Sequence, residues 1–191
     1  MSQAPSDIFT DADQKVLLEV ARRGISHELY QYVPLHVKPA DFPAPLREVR
    51  ATFVTLKIEG NLRGCIGTLE ARRPLIVDVV HNAGAAAFAD PRFARVTRAE
   101  FDQISIEISV LGPPQSIGFA SEDDLITRLR RGIDGLILTE GDHRGTFLPA
   151  VWEQLPDPRQ FVEHLKAKAG LPRDYWSDTI RISRYTTESF S

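Results

Sequence analysis

Cysteine is nearly absent from this chain: Cys65 is the single one among 191 residues. One thiol excludes an intrachain disulfide framework and argues against a small secreted scaffold held together by bridges. Long apolar runs are missing as well, every stretch falling well short of the roughly 20 residues a membrane helix needs. The opening, Met1 to Asp11, is polar and lacks the apolar segment of a signal peptide, so a cytoplasmic location is expected. Neither charge sign dominates. A net charge of −3 and a pI near 6.0 give no overall attraction to nucleic acid or to an anionic membrane.

Signature motifs are equally scarce. No Walker phosphate loop, no Gly-x-Gly-x-x-Gly fingerprint and no Gly-x-Ser-x-Gly elbow occurs, which removes the usual nucleotide and serine-hydrolase readings. The histidines, His27, His36, His81, His143 and His164, are not spaced with a second histidine or with the cysteine as in a structural zinc site. No metal and no cofactor is expected. What remains is an ordinary globular composition, 42% hydrophobic, long enough for a sizeable core.

Local patterns divide that length into elements. Thr10 with Asp13 resembles a capping box, and Leu18, Ala21, Ile25 and Leu29 recur at helical spacing to about Tyr30. Pro34, Pro39, Pro43 and Pro45 then prescribe an extended covering loop. Residues 51–58 and 62–68 read as two strands of a hairpin turned at Gly60-Asn61. A helix opened by Pro74 runs to about Phe88, its small residues Ala83, Gly84, Ala86 and Ala87 allowing close approach to the hairpin. Residues 101–111 alternate most clearly, with Ile104, Ile106, Ile108 and Val110 opposite Ser105, Glu107 and Ser109. Ser121 caps a helix expected to close at Gly132, a second hairpin spans 135–148 across Gly141-Asp142, and a last helix runs from Asp157-Pro158 to Gly170. Trp152 and Trp176 read as packing residues. Hairpins outnumber βαβ units, so the expected class is α+β with mostly antiparallel sheet and packed helices. Residues 1–9 are expected to be a flexible N-terminus, and 10–191 a single domain of two intertwined lobes.

The chemistry concentrates in Leu62-Arg63-Gly64-Cys65-Ile66-Gly67. In a regular strand Arg63 and Cys65 share one face while Leu62 and Ile66 share the other. A guanidinium beside a thiol stabilises the thiolate and makes it a better nucleophile. Gly64 and Gly67 would admit a ligand close to the backbone, with Ile66 and Thr68 beside them as further binding candidates. The competing reading makes Cys65 a small buried hydrophobe. Glu107, mid-strand between two serines, and His81, on the alanine-rich helix, are the candidate proton-moving groups. Each also has a plain reading: a solvated strand face for Glu107, a surface or core imidazole for His81.

Several segments together resemble the AMMECR domain, the A component of AmmeMemoRadiSam systems. They are the hexapeptide with Thr68-Leu69, Asp90-Pro91-Arg92-Phe93, Ile106-Glu107-Ile108-Ser109-Val110-Leu111, Thr146-Phe147-Leu148-Pro149 and Val151-Trp152-Glu153-Gln154. Ala94 and Ala150 depart from the family pattern, which more often has Pro and Gln there. The resemblance implies a two-lobed α+β fold and a cytosolic pathway component working with a Memo-like protein and a radical S-adenosylmethionine enzyme; it identifies no reaction. Two functions are carried forward. In one, Cys65 acts on a small-molecule substrate as nucleophile or covalent carrier, aided by Arg63, Glu107 and His81. In the other, the protein is a non-catalytic adaptor that delivers substrate to those partners through the Gly-Cys-Ile-Gly surface. A nucleic-acid-binding role is disfavoured by the acidic balance.

Overall fold

Thr10 starts the first helix through a reciprocal cap: its hydroxyl accepts the Asp13 N–H at 3.2 Å while the Asp13 carboxylate accepts the Thr10 N–H at 3.1 Å. The structure is a computed structural model that describes residues 8–191. In chain order the elements are α1 (Asp11–Gln31), α2 (Ala44–Arg47), β1 (Ala51–Ile58), β2 (Asn61–Gly67), α3 (Leu75–Phe88), α4 (Arg98–Phe101), β3 (Ile104–Leu111), β4 (Gln115–Ser116), α5 (Glu122–Arg128), β5 (Gly135–Glu140), β6 (His143–Phe147), α6 (Pro158–Lys168), β7 (Arg181–Tyr185) and β8 (Thr187–Phe190). Helices and two antiparallel four-stranded sheets make this an α+β fold. Of the expected flexible segment 1–9, residues 1–7 lie outside the described residues. Ile8 and Phe9 donate their backbone N–H groups to the Glu188 carboxylate at 2.8 and 3.3 Å, and Phe9 is buried.

The chain divides into two compact units. The first comprises residues 8–111 and 188–191, with a sheet in the order β2-β1-β3-β8. Its hairpin turns on Glu59 and Gly60, both with positive φ, one residue earlier than the Gly60-Asn61 turn expected from sequence. A two-residue turn with both residues left-handed matches the twist of the strands it joins. The face carrying Val54, Leu56, Ile106 and Ile108 is covered by α3 through Val79, Ala83 and Ala86, and α3 is covered in turn by Leu17, Ala21 and Ile25 of α1. A Cβ at Gly24 of α1 would stand 3.3 Å from the Val80 side chain, so that glycine sets the close helix crossing. The proline-rich connector is not wholly extended: it contains a short 3₁₀ turn at Pro39–Asp41 before α2.

The second unit, residues 112–187, has its own sheet in the order β4-β7-β5-β6 and its own core of Leu125, Leu136, Leu138, Phe161, Leu165 and Ile182. Trp152 packs as expected, stacked on Phe161 at 3.9 Å with its indole N–H donated to the Asp134 carbonyl at 2.7 Å. Helix α5 ends at Arg128, short of the expected Gly132. Among the described residues no helix is long and apolar enough to cross a membrane.

Candidate functional site

The hexapeptide forms β2, the edge strand of the first sheet, and the pairing of β2 with β1 assigns each residue a position. Cys65 lies opposite Thr55, Gly64 opposite Leu56, but Leu62 opposite Lys57. Arg63 is thus the extra residue of a β-bulge, and strict alternation fails there. Gly64 faces the core: a Cβ on it would stand 2.2 Å from the Ala86 carbonyl oxygen of α3, so only glycine lets the helix lie this close. Ile66, opposite Val54, packs against the same core. Gly67 lies under the ring of its pair partner Phe53, where a Cβ would come within 2.3 Å of ring atoms. Thr68 donates its N–H to the Thr52 carbonyl and its hydroxyl to Asp78.

The Asp78 carboxylate is itself buried, and it accepts from the Thr52 N–H and hydroxyl at 3.0 and 2.7 Å and from Asn82 at 2.9 Å. Arg73 reaches its other oxygen at 3.2 Å. This network ties β1 to α3. None of its members was visible as a group in the sequence, because Thr52, Asp78 and Asn82 meet only once α3 lies on the sheet.

Cys65, unlike Gly64 and Ile66, faces away from the core. Its side chain points to the sheet face opposite α3, half-buried, where the Thr55 hydroxyl donates to Sγ at 3.3 Å. Its backbone is held from the open edge of β2: Asp90 accepts its N–H at 2.9 Å and Arg92 donates to its carbonyl at 3.1 Å. Asp90 also takes the Arg92 guanidinium at 2.7 Å. Those hydrogen bonds, Arg92 first, hold the buried Asp90 carboxyl far below the usual carboxylate range.

The expected pairing of Arg63 with the thiol does not form. The bulge sends the guanidinium to the segment after α3, where Nε donates to Glu100 at 2.8 Å, Nη2 donates to the Ala94 carbonyl at 3.0 Å, and the Phe93 ring lies 5.8 Å away. The Glu100 carboxyl is lowered to about 2, chiefly by Arg63, so the guanidinium charge is met by a carboxylate. Glu100 is the partner that sequence reasoning missed. Its signal was the Thr97-x-x-Glu100 capping box, in which the same carboxylate takes the Thr97 N–H at 2.8 Å.

Glu107 does share the Cys65 face. Thr55 pairs with Cys65 on one side and with Glu107 on the other, so the three form a row across β2, β1 and β3. Two strand spacings, about 10 Å, separate the ends of that row. The Glu107 carboxylate is engaged by Lys57 at 2.7 Å. Further along this face Phe53 lies between Gly67 and Ser109, and Ser109 and Ser189 bond at 2.8 Å, so the face is half-solvated and polar at its Glu107 and Ser109 end. His81 lies elsewhere. It is an exposed residue of α3, the helix on the other face, and lines a pocket with Glu28 and Arg73 rather than standing by the thiol. Partial desolvation of the imidazole at the pocket wall, then Arg73, lowers its pKa below 6.5. The sheet lies between His81 and Cys65, so the expected base for the thiol is not brought to it. Among the described residues no three His, Cys, Asp or Glu side chains converge as metal ligands do.

A family model described as AMMECR1 matches residues 18–190. The chain belongs to the AMMECR1 family. It is similar to a protein of Methanothermobacter thermautotrophicus, 39% identical over 178 residues that cover 92% of each chain. It is likewise similar to protein MJ0810 of Methanocaldococcus jannaschii, at 38% identity over 78% of this chain and 76% of that protein. Among solved structures it resembles the crystal structure of uncharacterized protein PH0010 from Pyrococcus horikoshii, with a TM-score of 0.79, 32% identity and coverage of 91% and 88%. In this AMMECR1-family chain, the hexapeptide combines an edge-strand bulge, two glycines set by close packing and one thiol free of core packing.

Proposed function

We propose that this AMMECR1-family protein is a cytoplasmic pathway component in which Cys65 is a nucleophile that carries a small group covalently. The observation that supports this is the division of labour within residues 62–67. Gly64 and Ile66 build the helix-facing side and Gly67 seats Phe53, whereas the Cys65 side chain points away from the core to a hydroxyl. A thiol kept for packing alone belongs on the side of Gly64 and Ile66. The chemistry is redox-neutral. The thiol gives its proton to solvent, and sulfur forms a bond to an electrophilic carbon of the substrate. The bond from that carbon to its leaving group breaks, and the leaving group departs with the electron pair and takes up a proton. Transfer to a second nucleophile reverses these steps. A Memo-like protein and a radical S-adenosylmethionine enzyme are the proposed partners in the same pathway, one supplying and the other consuming the carried group.

The adaptor reading is favoured by a different observation: Arg63 is committed to Glu100 and His81 lies beyond the sheet, so neither activates the thiol. Complementation of a host lacking the gene, paired with thermal melts, separates the two. Cys65→Ser is expected to melt like the parent and to fail in complementation, because a hydroxyl keeps the volume and loses the nucleophilicity. Full complementation by a normally folded Cys65→Ser protein would remove the carrier role and leave the adaptor.

A further inference from the structure

On the far side of α3 from the thiol, the first unit contains a pocket of about 390 Å³ whose walls come from α1, α3 and the 34–37 connector. That volume lies in the lower part of the range for small-molecule sites. Its floor is apolar, formed by Leu35, Val77, Val80 and Phe88. Five polar side chains line it: Glu28, His36, Arg73, His81 and Arg95.

Two of these have unused capacity. The Glu28 side chain is only 20% exposed and lies over Gly84, where a Cβ would meet its Oε2 at 2.8 Å. Glycine at this place gives the carboxylate its seat on the helix. Arg95 approaches it at 3.7 Å, an ion-pair distance but too long for a hydrogen bond, and among the described residues no other donor reaches it. Its oxygens remain open to solvent, so a ligand that brings a donor meets a carboxylate that no donor in the protein occupies. Arg73 spends its Nε on buried Asp78 at 3.2 Å, and among the described residues no acceptor takes its two amino groups. They form a fork suited to a carboxylate.

We propose that this pocket binds a small zwitterion with an apolar body, an α-amino acid with a hydrophobic side chain, its ammonium on Glu28, its carboxylate on Arg73 and its side chain on the Val77, Val80 and Phe88 floor. A simple anion leaves Glu28 unmet and adds nothing for it, and a simple amine leaves the Arg73 fork unmet. Only a molecule that carries both charges next to an apolar body meets all three surfaces at once. The site is independent of thiol chemistry at Cys65 and stands or falls separately from it.

The test is titration calorimetry on the full chain with leucine, phenylalanine, methionine and tryptophan at millimolar concentration. 3-Phenylpropionate and phenethylamine serve as single-charge controls. At least one amino acid is expected to bind saturably, and each control about tenfold or more weaker than phenylalanine. Glu28→Gln keeps the shape of the carboxylate and is expected to weaken the amino acid by about tenfold or more while leaving 3-phenylpropionate unchanged. Ala85→Phe, on the helix surface that lines the pocket, fills the space and is expected to abolish binding, with circular dichroism and a melt confirming a folded protein. The proposal is overturned if no amino acid of the panel binds, if 3-phenylpropionate binds as tightly as phenylalanine, or if binding survives in both variants.

Discussion

The carboxylate of Asp90 accepts the backbone N–H of Cys65 at 2.9 Å across 25 residues of sequence. Arg92, paired to that carboxylate, closes the other side by donating to the Cys65 carbonyl at 3.1 Å. An edge strand exposes unpaired backbone groups that invite another chain. At Cys65 those groups are occupied from within by the Asp90-Pro91-Arg92 turn, which fixes the thiol's backbone without covering the sheet face its side chain points to. The signature cysteine and the Asp-Pro-Arg-Phe stretch, far apart in the chain, are one structural device.

Removing the acid should therefore cost more than a surface substitution. Asp90→Ala strips the acceptor from the Cys65 N–H and leaves Arg92, half in solvent, without its partner. A loss of about 1–3 kcal/mol is expected from the orphaned donor, read from urea midpoints. Amide exchange should place the damage, with the Cys65 N–H losing protection ahead of the β1–β3 ladder. Unchanged protection at Cys65 would mean that the Asp90 bond does not hold the edge.

Glycine at position 64 answers a packing requirement, not a conformational one. In Gly64→Ala the new methyl would stand 2.2 Å from the Ala86 carbonyl, a backbone atom in the last turn of α3 that cannot swing away as a side chain would. Helix and sheet must separate, at a cost of about 1–3 kcal/mol or more. Gly118→Ala, where nothing lies within 4 Å, is the matched control and should change stability by no more than about 0.5 kcal/mol. Equal midpoints for the two variants would contradict the close approach.

Much of this architecture was legible in the chain because it is written in local periodicity. Ile104 to Val110 alternates and is a strand with those residues buried; Thr10 and Asp13 cap α1 as their spacing predicts. The strands β7 and β8 gave no comparable signal, since Arg181–Tyr185 and Thr187–Phe190 are short and mostly polar and owe their conformation to pairing with distant partners. The candidate site was legible as a list of residues, not as a geometry. Cys65 and Glu107 do share a face, as two-residue periodicity requires. Arg63 does not follow that rule because one inserted residue in β2 breaks it, and a bulge is set by the pairing strand, which the hexapeptide alone does not reveal. His81 illustrates the same limit: a helix adjacent in sequence to the cysteine hairpin packs on the face its glycine offers, away from the thiol.

Acid should expose the Arg63–Glu100 pair. The Glu100 carboxyl falls from 4.5 to about 2 on folding, because Arg63 and the Thr97 cap favour its charged form. A depressed carboxyl contributes stability that is complete above its unfolded value of 4.5 and is lost as pH falls through 4.5 toward 2. With the side chain 31% exposed, solvent screening keeps this contribution at about 1 kcal/mol. Glu100→Gln should be less stable than the parent by that amount at neutral pH, and the two urea midpoints should converge as pH approaches 2. A difference that is constant with pH would show that the pair contributes nothing through its charge.

Glu107 separates stability from function most cleanly. Its ion pair with Lys57 lies on the polar sheet face, both side chains more than one-third exposed, so Glu107→Gln should shift the melting midpoint little, about 0.5 kcal/mol or less. If the row Cys65–Thr55–Glu107 is the working surface of the carrier, the same substitution removes the carboxylate charge nearest to a group held on the sulfur along that row, and complementation should fall although the fold is intact. Lys57→Met distinguishes the source of any loss, because it breaks the ion pair while keeping the carboxylate. A carrier surface that uses Glu107 tolerates Lys57→Met better than Glu107→Gln. Equal and full complementation by both would confine the functional group to Cys65 and its backbone clamp.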